Sequence, residues 1–184
     1  RMDRRAHIKK LMALGAASVA PAALWAGTER SEKAAVKSER AFGYKRSVSH
    51  WTVDDLDWDD LCGWLVQEGV EAVDLVGPEN WHHLKKHGLD SSMCNGAELN
   101  LVDGFIHEEF EGVLHERYNA MIPRVAKAGY ENLICFSGNR RGLSEEEGLE
   151  QAVKALQPMV ALAEEHGVVL QMELFNSIVD HPDY

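Results

Sequence analysis

The chain has 184 residues, 45% of them hydrophobic, and a formal net charge of -11. That hydrophobic share supports a sizeable core and excludes a globally disordered chain. Five of the 19 basic and one of the 30 acidic groups fall in residues 1–26, leaving 14 basic against 29 acidic in the remainder. So acidic a body repels nucleic acid and anionic membrane, and both are set aside as partners.

In chain order, Asp3-Arg4-Arg5-Ala6-His7-Ile8-Lys9-Lys10 precedes an alanine-rich apolar run from Leu11 to Ala26. A basic head, a modest hydrophobic stretch and small residues at Ala20-Pro21-Ala22 form a secretory-signal pattern over 1–26. The paired Arg4 and Arg5 make it a twin-arginine type, although His7 stands where a bulky apolar residue is usual, and the implied location is periplasmic. The alternative is a surface amphipathic helix; the run is too short and too weakly apolar for a stable membrane span. Residues 27–43 are polar and without periodicity, which reads as a linker.

From Tyr44 to Tyr184 one unit recurs: strand, loop, amphipathic helix, glycine, next strand. Lys45–Trp51 is a first strand, and Asp57 opens a helix with Leu61, Trp64 and Leu65 on one face. Val70–Val76 is a second strand, followed by a short helix through Trp81, Leu84 and Lys85 with Pro78 in its first turn. Ser91–Asn95 is a weak third strand. Phe110, Val113, Leu114, Tyr118, Met121, Ile122 and Val125 recur at three and four, the stripe of a helix packed on a sheet. Asn132–Ser137 is the fourth strand. Ser144 and Glu147 form a capping box opening a helix whose expected inner face is Leu149, Val153, Leu156, Val160 and Ala163. Gly69, Gly88, Gly129 and Gly167 are the helix stops. Strict β/α alternation demands a parallel sheet covered by helices. Both a doubly wound open sheet and a (β/α)8 barrel with about five of its eight units fit. The cysteines, Cys62, Cys94 and Cys135, are odd in number and lack CxxC spacing, which disfavours a disulfide framework or a cysteine zinc site.

The fifth strand, after Gly167, carries the chemistry. Its apolar run contains one acid, Glu173, between Met172 and Leu174. A charge on a buried strand is costly unless paired. At the carboxyl end of a parallel strand that pairing is often with a metal or a substrate. The plainer alternative is a glutamate satisfied by a neighbouring lysine or arginine. Asn176, Ser177, Asp180, His181 and Asp183 follow at once.

Two segments, Gly129-Tyr-Glu-Asn-Leu-Ile-Cys-Phe-Ser-Gly-Asn-Arg-Arg-Gly142 and Met172-Glu-Leu-Phe-Asn-Ser-Ile-Val-Asp-His-Pro-Asp-Tyr184, resemble the hydroxypyruvate isomerase family of xylose-isomerase-like TIM barrels. The resemblance spans about Ser47 to Tyr184. It implies an eight-stranded barrel with a divalent metal, Mg, Mn or similar, at the carboxyl face. It implies that Glu173 binds that metal and takes part in proton transfer, with the remaining ligands and a second catalytic glutamate beyond Tyr184. On strand three, where many relatives carry a substrate-side histidine, this chain has Cys94-Asn95.

An aldose–ketose shift needs a carboxylate to pass the proton and a Lewis acid or hydrogen-bond donors to hold two oxygens. Glu173 is the expected catalytic residue and metal ligand. His50, at the end of strand one, and Asn139, Arg140, Asn176 and His181, in the loops after strands four and five, are the expected substrate contacts. Arg140 with Arg141 could clamp a small keto acid. Each has a bland alternative: Asn176 and His181 in a turn, Arg140 in solvent. His82, His83 and His87 read as a solvated helix face, since i to i+4 spacing alone is a weak metal signal. The expected activity is conversion of hydroxypyruvate to tartronate semialdehyde or a similar keto–aldo shift. The nearest alternatives are a ketose 3-epimerase of the same fold and a non-catalytic periplasmic sugar-binding barrel. The 184 residues are expected to be an inactive N-terminal fragment with weak metal affinity of its own, and the full-length protein a possible homo-oligomer.

Overall fold

A computed structural model describes residues 44–184. The expected signal segment and linker lie outside the described residues. Five strands form one sheet: β1 Ser47–Ser49, β2 Ala72–Val76, β3 Asp90–Cys94, β4 Asn132–Cys135 and β5 Val169–Met172. They pair in the order β1-β2-β3-β4-β5, every pair parallel. That order decides between the two expected architectures. A doubly wound sheet reverses direction at a switch point, whereas a barrel adds each strand beside the last. The arrangement is therefore part of a (β/α)8 barrel, in an α/β fold.

The sheet also curves as a barrel wall must. The Ser92 hydroxyl donates to the Ser47 hydroxyl at 3.0 Å although β2 runs between their strands. Those two side chains thus share a concave face. Asn132 and Gln171 extend the same polar layer: Gln171 Nε2 donates to Asn132 Oδ1 (3.1 Å), and Asn132 Nδ2 to the Ser92 carbonyl (3.0 Å). The opposite face of the strands carries Val73 and Leu133, fully buried under the helices.

The helices are α1 Trp58–Gln67, α2 Trp81–His87, α3 Glu108–Ala128 and α4 Glu145–His166. Local chemistry sets their ends. Asp57 caps α1 by accepting from the Asp59 and Asp60 N–H groups, and Ser144 with Glu147 closes a complete capping box on α4. Gly88, Gly129 and Gly167 end α2, α3 and α4 in the left-handed region, where a side chain would be strained. Two expectations need correction. Pro78 precedes α2, in the turn before Trp81. The first strand is shorter than expected and passes into a 3₁₀ turn, His50–Thr52.

The face of α4 is the larger correction. Its buried residues are Gly148, Ala152, Ala155, Met159 and Ala163, while Leu149, Val153 and Val160 are exposed. The cause is close approach to α3: the His115 ring donates to the Ala155 carbonyl at 2.8 Å, and Gln151 donates to Glu111 at 3.1 Å. Only small residues leave room for that. Of the expected α3 stripe, Leu114, Tyr118, Met121, Ile122 and Val125 are buried and Phe110 partly so, while Val113, at the helix's exposed flank, is 37% exposed. Tyr118 is satisfied at depth, its hydroxyl donating to the Ile134 carbonyl at 2.7 Å.

Candidate functional site

Glu173 follows the last residue of β5 directly. Its N–H donates to the Cys135 carbonyl at 3.0 Å, so the β4–β5 ladder runs one bond beyond the strand. Side chains alternate along a strand, which puts Glu173 on the same concave face as Gln171, at the carboxyl end of the sheet. The expectation of a buried acid is overturned: Glu173 is exposed. Apolar neighbours in sequence do not enclose it, because Leu174 is itself 88% exposed and β5 is an edge strand among the described residues.

An aromatic cluster lies beside it. Phe175 packs on Phe136 (ring centroids 5.7 Å apart), on His181 (4.4 Å) and edge-on to Tyr184 (4.3 Å). The expected contacts divide around this cluster. His181 belongs to it. Asn176 shapes it from below, its Oδ1 accepting from the Ile178 and Val179 N–H groups and its carbonyl from Asp180 and His181. That is the turn chemistry of an asparagine. Arg140 joins through its main chain, donating N–H to the Asp183 carbonyl at 2.6 Å, while its guanidinium faces Glu145 at 3.8 Å. Asn139 is held from both sides: its N–H donates to Val102, and its carbonyl accepts from His107 Nε2 at 2.8 Å. His50 stands apart from them. It stacks on Trp58 at 4.1 Å with the rings 7° from parallel, and burial, opposed by Asp54, lowers its pKa.

Several contributors carry no local sequence signal. His107 is 6% exposed and braces the loop after β4. Arg141, more than Arg140, is committed to a partner: it pairs with Asp103 and lies over the Phe110 ring. Bonds from Asn100 first, and Arg141 next, hold the Asp103 carboxyl below its ordinary range. Asp74, on the concave face, accepts from the Ser49 hydroxyl at 2.6 Å. Beside it Leu75 has φ 59, within a bulged stretch of β2. A positive φ at leucine and the i to i+25 pairing are invisible to periodicity. Cys94 is fully buried against the helices, with its thiol pushed up to about 11 chiefly by burial, so it does not stand on the substrate side. On α2, His83 and His87 are not a bare solvated face: both donate to Asp59 Oδ1, at 2.9 and 3.3 Å.

No family model matches the sequence, and no curated protein does. Solved structures do match in shape. An AP endonuclease of family 2 from Brucella melitensis is similar with a TM-score of 0.60 and 15% identity, over 73% of this chain and 57% of that one. A 3-keto-D-glucoside 4-epimerase from E. coli gives 0.57 and 16%, over 75% and 59%. The IOLI protein, with a bound zinc atom, gives 0.56 and 12%, over 70% and 51%. At such identities the likeness shows the fold alone, a (β/α)8 barrel, and the chain spans a little over half the length of these proteins.

The expected metal shell draws on Glu173 and on ligands beyond Tyr184; among the described residues no group of three His, Cys, Asp or Glu side chains is placed to hold an ion. Glu173 offers one carboxylate of suitable hardness to such a site.

Proposed function

We propose that this chain belongs to a small-sugar isomerase or epimerase in which Glu173 moves a proton at the carbon beside a substrate carbonyl. The observation that carries the reading is the position of Glu173: a solvated carboxylate on the concave face, at the carboxyl end of a parallel strand, beside an aromatic wall. Barrel enzymes gather their catalytic groups at that face. A carboxylate there can take a proton from one carbon and return it to the next, which isomerises; epimerisation takes a second acid on the opposite face of the enediol to return the proton there. Phe175 and Tyr184 limit water on one flank, which protects the enediol formed between the two steps. Metal at Glu173 belongs to this proposal only with ligands from other residues.

The first substrate class is hydroxypyruvate and similar short keto acids, from the resemblance in Gly129–Gly142 and Met172–Tyr184. A second reading, a ketose 3-epimerase, is favoured by two observations. Arg140 and Arg141 each already face a carboxylate, Glu145 and Asp103, which weakens a keto-acid clamp. The aromatic wall suits the C–H face of a sugar. Export by a twin-arginine route is part of the same proposal. The test is to offer the complete protein hydroxypyruvate and a set of ketohexoses with Mg or Mn present. Turnover of either class supports the reading and selects its branch. Binding of a sugar without turnover of any would make the protein a binding barrel and overturn it.

A further inference from the structure

We propose that Asp183 and Tyr184 are positioning residues: a latch that holds the loop after β5 against the loop after β4. Its part in catalysis rests on the function proposed above; the latch itself does not. Residues Ser137–Gly142 have no regular structure of their own, so their N–H groups need partners from elsewhere. Three find them in two consecutive residues. Ser137 N–H donates to the Tyr184 hydroxyl at 2.9 Å, Arg140 N–H to the Asp183 carbonyl at 2.6 Å, and Arg141 N–H to the Asp183 carboxylate at 3.3 Å.

The other side of that loop is fixed. Asn139 is held by Val102 and His107, and Gly104 packs against the backbone of Phe136 and Ser137. The loop after β4 is thus a rigid post. Tyr184 fastens to it by the hydroxyl and carries Phe175 on its ring at 4.3 Å. Phe175 lies two residues past Glu173. A stiff path therefore runs from Ser137 through Tyr184 and Phe175 to the segment bearing the candidate carboxylate. Burial raises the Tyr184 pKa, so the phenol keeps its proton around neutral pH and accepts through its oxygen. Held, the latch sets where Phe175 and His181 stand beside Glu173, whose own main chain the sheet places; released, both move with the loop.

Tyr184→Phe keeps the ring and removes only the acceptor. Amide exchange by NMR should show Ser137 N–H exchanging roughly tenfold faster, the size expected for one hydrogen bond, with Leu133 to Cys135 unchanged. Tyr184→Ala should extend the acceleration to the His181 amide, which donates to the Asn176 carbonyl. In the complete protein, Tyr184→Phe should raise KM for the turned-over sugar several-fold and lower kcat less. Unchanged Ser137 exchange in Tyr184→Phe would overturn the latch, and so would equal acceleration along β4, which means general loosening. Faster Ser137 exchange with KM and kcat unmoved would leave a latch and overturn its positioning role. If the wild type turns over no sugar, the function fails while the exchange result still judges the latch.

Discussion

Glu173 donates its main-chain N–H to the Cys135 carbonyl at 3.0 Å while its carboxyl group stands in solvent. The backbone is therefore placed by the sheet, and the side chain is free to meet a ligand. A residue arranged this way adds little to stability.

Gly104 marks where the rim is assembled. A Cβ there would collide with the backbone of Phe136 and Ser137, and its neighbour across the contact, Gly138, has φ 92. Neither backbone can yield cheaply. Gly104→Ala should cost about 1–3 kcal/mol in urea unfolding, the range for overpacking a tight site, and should speed amide exchange in Ser137–Gly142. Gly112 has open space around its Cβ position. Gly112→Ala, on the exposed face of α3 in its second turn, should instead stabilise by about 0.5–1 kcal/mol.

The α3–α4 contact gives a paired test. Ala155 is 0% exposed, with its carbonyl bonded by His115, whereas Val153 is 58% exposed. Ala155→Leu should destabilise by about 1–3 kcal/mol because the helices have no room to part. Val153→Lys should change stability by less than ~0.5 kcal/mol. Equal losses from both would mean that the outward stripe of α4 is covered in the protein studied.

Acid should loosen the α1–α2 corner. Asp59 accepts from Lys86, His83 and His87, and bonds to Lys86 first hold its carboxyl well below the usual carboxylate range. A depressed folded pKa means that the contribution is fully present above the unfolded value, near 4, and is lost as pH falls through the folded one. Stability should therefore fall with pH below about 4, and Asp59→Asn should flatten that fall. A wild-type and Asp59→Asn pair with parallel pH profiles of Tm would contradict the assignment. Salt should weaken the effect, since the corner is partly exposed.

How much of this is legible in the sequence depends on distance along the chain. The Ser144–Glu147 box and the glycine stops at Gly88, Gly129 and Gly167 are local backbone chemistry, and each stands where the residue types required. Strand order is not local, but once known it removes the open-sheet alternative. The inner face of α4 is not legible because size alone assigns large apolar residues to the core, whereas Ala152 and Ala155, beside the bonds from α3, and Gly148, against Ile106, stand there instead. Burial of Glu173 misled for a related reason: flanking residues cannot report what lies across a sheet edge. Tyr184 with Ser137 and His107 with Asn139 join positions 47 and 32 residues apart, beyond any pattern of spacing.

The most direct measurement is the activity and stability of Glu173→Gln in the complete protein, on whichever sugar or keto acid the wild type converts. Glutamine keeps the shape and the main-chain bond to Cys135 and loses the group that carries the proton. The expected result is an unfolding free energy within ~0.5 kcal/mol of wild type and a kcat lower by at least ~100-fold, with the substrate still bound. Turnover at the wild-type rate would contradict the account.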